Sequence, residues 1–124
     1  MCGICGIIDW RKPDIDADQV VKMRDLMVSR GPNDAGLHVE PGVALGHRRL
    51  SIIDLSADGH QPMSNEDQTI WLVFNGEIYN FLELRKELLS AGHCFRSHTD
   101  TEVVIHGYEE WGTEGLTLRL RGMF

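Results

Sequence analysis

Apolar residues fall along this chain in short runs and helical intervals separated by turn residues, and that alternation predicts its elements. Gly3-Ile4-Cys5-Gly6-Ile7-Ile8 is almost wholly apolar and is bounded by Asp9 and Pro13, which predicts a strand buried on both faces. From Asp16 to Arg30 the apolar residues Val20, Met23 and Met27 recur at a helical interval, and Gly31-Pro32 stops the helix. Gly36–Val39 and Val43–His47 flank Glu40-Pro41-Gly42, the pattern of a hairpin. Ser56–Pro62 reads as an ordered loop, and Ile70–Phe74, rich in branched and aromatic residues, as a buried strand that stops at Asn75-Gly76.

The second half of the chain turns helical. Asn80 with Glu83 three residues on predicts a capping box, and the helix behind it sets Leu84 and Leu88 on one face before Gly92. A further helix is expected from Thr101 to Trp111, with Val104, Tyr108 and Trp111 at helical spacing and Gly112 closing it. Leu120–Phe124 reads as the opening of another buried strand on which the sequence stops, so a truncated chain is expected. No repeat or linker interrupts the 124 residues, and the expectation is one compact α+β unit.

Composition narrows the function classes. A net charge of −7 argues against nucleic acid or an anionic membrane as partner, because a phosphate-binding face needs surplus Lys and Arg. No apolar run approaches the ~20 residues of a membrane span, and the start lacks a basic signal-peptide region. Three cysteines are an odd number, which suits free thiols and a cytoplasmic location better than a disulfide framework.

The position of Cys2 adds chemistry. Cysteine is small enough to permit aminopeptidase removal of Met1, which leaves a thiol and a free α-amine on one residue. An α-amine titrates near ~7.7–8.0 and a thiol near ~8.5, so moving the proton from sulfur to nitrogen costs only about 1 kcal/mol. One residue then supplies both nucleophile and base.

Other features carry ordinary readings beside functional ones. Asn75-Gly76 alone reads as a hairpin turn, and Asp100 alone as the N-cap of the helix it precedes, with Thr99 or Thr101 as rival caps. Arg48 and Arg49 are adjacent on a strand, so at most one faces a pocket. His47, His60, His93, His98 and His106 share no spacing that demands a role and read as surface or hydrogen-bonded structural residues. Cys2, Cys5, Cys94 and His98 have a zinc-site inventory, but Cys2 and Cys5 lie three apart on one strand and face opposite sides. Cys5 and Cys94 are expected to be buried small apolar residues, and no metal site is expected.

Six segments together resemble a known family. Met1–Ile7, Arg30–Gly36, Gly46–Asp54, Phe74–Asn80, His98–Glu102 and Leu120–Phe124 are similar, in order, to class II glutamine amidotransferases, in the branch of the glutamine-hydrolysing asparagine synthetases. The resemblance implies an α+β N-terminal nucleophile hydrolase fold, a four-layer αββα sandwich, here incomplete at its C-terminus. It implies that residues 1–124 are part of an amidotransferase domain whose ATP-using synthetase domain is absent. The implied reaction is hydrolysis of L-glutamine to glutamate and ammonia through a Cys2 thioester. Asn75 and Gly76 are implied as the oxyanion donors, and Arg49 and Asp100 as binders of the α-carboxylate and α-ammonium, with Arg48 expected to be solvated. Leu50, Ser51, Ile52, Ile53 and Glu77 are implied to line the glutamine pocket. The glutaminase step implies no cofactor; ATP and Mg are expected only for a synthetase domain or subunit that accepts the ammonia. Asn33 stands where the family usually has an acidic residue, a position expected to be structural. The alternative reading is a non-catalytic remnant that acts as a binding or regulatory module.

Overall fold

A computed structural model describes residues 1–124 throughout. Seven short strands and three helices make a mixed α+β chain with small antiparallel sheets. They divide into two compact units. The first comprises Met1–Ser51, His60–Met63 and Leu72–Asn75, the second Ile52–Gly59, Ser64–Trp71 and Gly76–Phe124.

The first unit is built on a three-stranded sheet of β1 (Gly3–Ile8), β2 (Asp34–Glu40) and β3 (Val43–Arg49), in the order β1-β3-β2. β2 and β3 form the expected hairpin, with Asp34 opposite Arg49 and Glu40 opposite Val43. Gly42 closes the turn at φ +80, a region that disfavours a side chain. β1 pairs with the other side of β3, Gly3 opposite Arg48. It is an edge strand, and Ile4 and Ile8 are exposed, which corrects the expectation of a strand buried on both faces.

Helix α1 (Ala17–Asp25) packs on this sheet. Asp16 caps it by accepting the Asp18 N–H at 3.0 Å. Val20 is its fully buried residue, while Met23 is exposed. The close approach depends on Gly46 in β3, where an added Cβ would meet the Cys5 sulfur and Val20.

The second unit is helical. In α2 (Phe81–Ser90) Leu84 and Leu88 are buried, as their spacing predicts, and Gly92 follows at φ +103. Asn80 makes no side-chain cap; its amide instead donates to the Arg119 carbonyl and accepts the Arg121 N–H, which corrects the capping-box expectation. The last helix, α3, runs over Thr101–Arg119, because the chain re-enters helix after a kink at Gly112 (φ 65, ψ −177) rather than ending there. Gly107 gives Leu116 and Trp111 room to pack back across the kink. The buried side of α3 carries Val103, Ile105, His106 and Leu116; Tyr108 is exposed. Burying a Leu or Ile side chain is worth roughly 2 kcal/mol, so Ile78, Leu84, Leu88, Val103 and Ile105 form the energetic centre of this unit.

Four further two-residue strands form two pairs. β4 (Met63–Ser64) pairs with β5 (Trp71–Leu72), the only strand formed in the predicted 70–74 run. Its side chains are half-buried, which corrects the expected buried strand. β6 (Glu77–Ile78) pairs with β7 (Gly122–Met123), so the closing segment is a strand as expected, but a solvent-exposed one. No helix is long and apolar enough to cross a membrane.

Candidate active site

Cys2 lies half-buried just before β1, where three features fix it. The Arg30 side chain donates from Nε to the Cys2 carbonyl at 3.1 Å. The Leu50 N–H donates to the Cys2 sulfur at 3.4 Å, and the thiol faces the Leu50 carbonyl at 3.8 Å. Gly31 lies so close to Arg48 and Arg49 that any Cβ there would collide with their backbone. Arg30-Gly31 therefore works as a fastener that brings the start of the chain to the end of β3. Asn33 completes it by donating its N–H to the Arg49 carbonyl and accepting the Ser51 N–H, both at 3.0 Å. A carboxylate would accept the same bond, which explains why Asn stands here without visible consequence.

Arg49 and Arg48 divide as strand geometry requires. Arg49 is buried in the first unit, and its charge acts on both Asp34 and His47. Burial raises the Asp34 carboxyl, but the hydrogen bond from His60 Nδ1 at 2.6 Å, the Ala35 N–H and the Arg49 charge outweigh it and hold it low. Arg48 is not solvated as expected: its side chain is 14% exposed, 3.9 Å from Asp25.

Two residues outside the implied site act on the segment leading to Asn75. His47, fully buried in β3, places Nε2 3.2 Å from the Phe74 carbonyl, and the buried Gln61 side chain accepts the Phe74 N–H at 2.7 Å. Both backbone groups of the residue before Asn75 are thus held. Burial drives the His47 imidazole down to about 4, so at neutral pH it is uncharged and donates Nε2–H to the carbonyl. One signal in the sequence points to this: a histidine two residues before Arg49 on the same strand shares its face.

Gly76, Glu77 and Asp100 belong to the second unit, as do Ile52 and Ile53. Asp100 is buried at the start of α3 but makes no cap; Oδ2 accepts the Ile78 N–H at 2.8 Å. Thr99 caps instead, its Oγ1 accepting the Glu102 N–H at 3.4 Å. Burial, aided by the nearby Glu77 charge, raises the Asp100 carboxyl against the opposing pull of backbone N–H groups. Ile52 and Ile53 are exposed. Asp54, which follows them, accepts from Ser56 N–H at 2.8 Å and His98 N–H at 2.9 Å, and so holds its loop.

The three thiols differ in setting. Cys5 Sγ lies 3.7 Å from the Gly46 carbonyl and 3.8 Å from that of Val20, and burial pushes its thiol up, which suits an inert residue. Cys94 is exposed, contrary to expectation. Cys2 and Cys5 face different neighbours, as their three-residue spacing predicts, so they make no dithiol ligand pair.

The chain matches the family model for the glutamine amidotransferase domain over residues 1–124. It is 43% identical to asparagine synthetase [glutamine-hydrolyzing] 1 of Bacillus subtilis over a 127-residue alignment covering 100% of this chain and 20% of that protein. It is 44% identical to asparagine synthetase [glutamine-hydrolyzing] of Sandersonia aurantiaca and 42% to asparagine synthetase [glutamine-hydrolyzing] 1 of Arabidopsis thaliana, again over 100% of this chain and 23% and 21% of the relatives. The chain spans about a fifth of the length of these relatives.

Proposed function

Because the chain belongs to the glutamine amidotransferase domain family, we propose that it hydrolyses L-glutamine to glutamate and ammonia with Cys2 as the N-terminal nucleophile. The observation that carries this reading is the fastening of the Cys2 sulfur under the Leu50 N–H at 3.4 Å, directly after the buried Arg49.

In the proposed reaction, removal of Met1 frees the Cys2 α-amine. The amine takes the thiol proton, sulfur attacks the glutamine Cδ, and the C–N bond breaks as the α-amine returns a proton to departing ammonia. Water then cleaves the thioester to glutamate. Asn75 is the proposed side-chain donor to the oxyanion, a role worth roughly 3–4 kcal/mol and one that the double hold on Phe74 supports. Arg49 is the proposed partner of the glutamine α-carboxylate, and Leu50 and Ser51 line its approach. The roles of Gly76 as backbone oxyanion donor, Asp100 as ammonium partner, and Ile52, Ile53 and Glu77 as pocket residues rest on the resemblance of their motifs. The glutaminase step needs no cofactor.

The names of the relatives support asparagine or a related amide as the eventual product, with ammonia passed to a synthetase domain or subunit that uses ATP and Mg. We further propose a cytoplasmic location and the four-layer αββα arrangement of N-terminal nucleophile hydrolases, which the mixed α+β content and antiparallel pairing support. Replacement tests the reading. Cys2→Ala should abolish ammonia release from glutamine while Cys5→Ala retains it; equal loss in both, or activity surviving in Cys2→Ala, overturns the reading.

A further inference from the structure

The second unit gathers donors that the glutaminase reading does not use. His93, from the turn after α2, and His106 and Glu109, from α3, each offer a ligand atom within 4.8 Å of the other two. Glu109 Oε2 is the meeting point: His106 Nδ1 lies 2.8 Å from it and His93 Nδ1 3.6 Å. Each group is also held from behind. The other nitrogen of His93 faces Glu110 Oε2 at 3.1 Å, and that of His106 faces Glu102 Oε1 at 3.6 Å and Glu66 Oε1 at 3.9 Å. The other oxygen of Glu109 accepts from Asn65 Nδ2 at 2.8 Å. The two imidazole rings sit 5.2 Å apart, and Phe95 meets His106 in an edge contact at 4.7 Å.

Two features point past a network of ion pairs. Four carboxylates, Glu66, Glu102, Glu109 and Glu110, surround two imidazoles, a surplus of negative charge in a partly desolvated place, and two imidazolium ions side by side would repel. Moreover, each candidate donor is backed by the polar partner that orients metal ligands: a carboxylate behind each histidine and an amide behind the carboxylate. Imidazole donors suit zinc-class cations, while Mg and Ca favour all-oxygen sets.

We propose that His93 Nδ1, His106 Nδ1 and Glu109 Oε2 bind one divalent cation of the zinc class, with water completing a tetrahedron. Bonds of about 2.0–2.1 Å place tetrahedral ligands roughly 3.4 Å apart, so from separations within 4.8 Å the widest pair closes by up to about 1.4 Å on binding, and the 2.8 Å pair opens slightly. His93, just after the turn that ends α2, is the partner that shifts, and the ion ties that segment to α3. The site adds a metal-dependent staple to this unit, independent of glutamine chemistry.

Titration of the purified protein with Zn²⁺, and with Co²⁺ as a spectroscopic probe, tests this at neutral pH. The expected result is one-to-one binding, a Co²⁺ d–d spectrum of nitrogen and oxygen ligands without a thiolate charge-transfer band, and a rise in melting temperature that chelator reverses. His93→Ala should abolish the binding and Glu110→Gln weaken it about 10-fold or more, with the melting temperature in chelator changed little. Mg²⁺ should produce no shift. Absence of stoichiometric binding by the folded protein, binding that survives His93→Ala, or a thiolate band from Cys94 would overturn the proposal.

Discussion

In the first unit polar side chains reach for backbone: Arg30 for the Cys2 carbonyl, Asn33 for the Ser51 N–H, and His47 and Gln61 for the two sides of Phe74. The second unit has such ties too, at Asp54, Asn80 and Asp100, but adds a cluster in which side chains reach for one another: His106 for Glu109, His93 for Glu110, Asn65 for Glu109. Glu102 does both, accepting the Arg96 and Ser97 N–H groups at 2.8 Å and the Ser97 hydroxyl at 2.6 Å while it faces His106. A side chain tied to backbone fixes where a short segment runs, which is what a reacting group needs. A network of charges stabilises a packing arrangement but depends on protonation, or on an ion, to do so. The two units should therefore respond differently to substitution and to pH.

The largest expected effect falls on the first unit. Asn75→Ala should lower kcat on the order of 10²–10³-fold with little change in KM, since the contact it removes is made to the oxyanion. Arg49→Ala should instead raise KM. Steady-state ammonia release separates the two, and a change confined to KM in both removes Asn75 from the oxyanion site. In the second unit Glu102→Ala leaves the Arg96 and Ser97 N–H groups and His106 without their shared acceptor, and should cost about 3 kcal/mol in urea unfolding. A loss below about 1 kcal/mol would mean that water replaces the carboxylate there.

The units also differ in pH response. His47 titrates at about 4 in the folded chain against an ordinary 6.5, so the unfolded chain takes up the proton first. Its contribution is complete above pH 6.5, is lost as pH falls towards 4, and amounts to roughly 3 kcal/mol. His106 behaves oppositely. Burial alone would lower it, but the bonds to Glu102 and Glu109 raise it, so its contribution is lost as pH rises through its folded value. Stability measured against pH should lose the acid-side slope between pH 6.5 and 4 in His47→Gln; an unchanged slope would show that His47 is not the group responsible. The smallest effect is expected for Asn33→Asp, within about 0.5 kcal/mol, because either side chain accepts the Ser51 N–H. A larger loss by thermal melt would mean that charge, not the acceptor, matters at this position.

The hairpin of β2 and β3, the buried Leu84 and Leu88, and the opposed faces of Arg48 and Arg49 were legible because each follows from local periodicity or turn chemistry. Cys2 stands as a candidate on its own chemistry. What failed was decided by distant partners. β1 exposes Ile4 and Ile8 because α1 packs on the other face, the one that carries Gly3, Cys5 and Ile7, which a run of six apolar residues does not reveal. Asn80 gave up its cap because Arg119 and Arg121, about forty residues on, compete for its amide. The holds of His47 and Gln61 on Phe74 join residues 27 and 13 positions apart, beyond the reach of any spacing rule. The His93–His106–Glu109 group is hidden for the same reason, since His93 precedes α3 and meets its partners only after the chain has turned.

We propose Cys2, freed of Met1, as the nucleophile. Intact-mass analysis of the active protein before and after treatment with a diazo-ketone analogue of glutamine tests it most directly. The predicted result is a chain that begins at Cys2, takes up one equivalent of analogue on the Cys2 peptide, and loses ammonia release in step with labelling, while Cys5 and Cys94 stay unmodified. Retention of Met1 in an active chain, or equal labelling of all three cysteines, would contradict it.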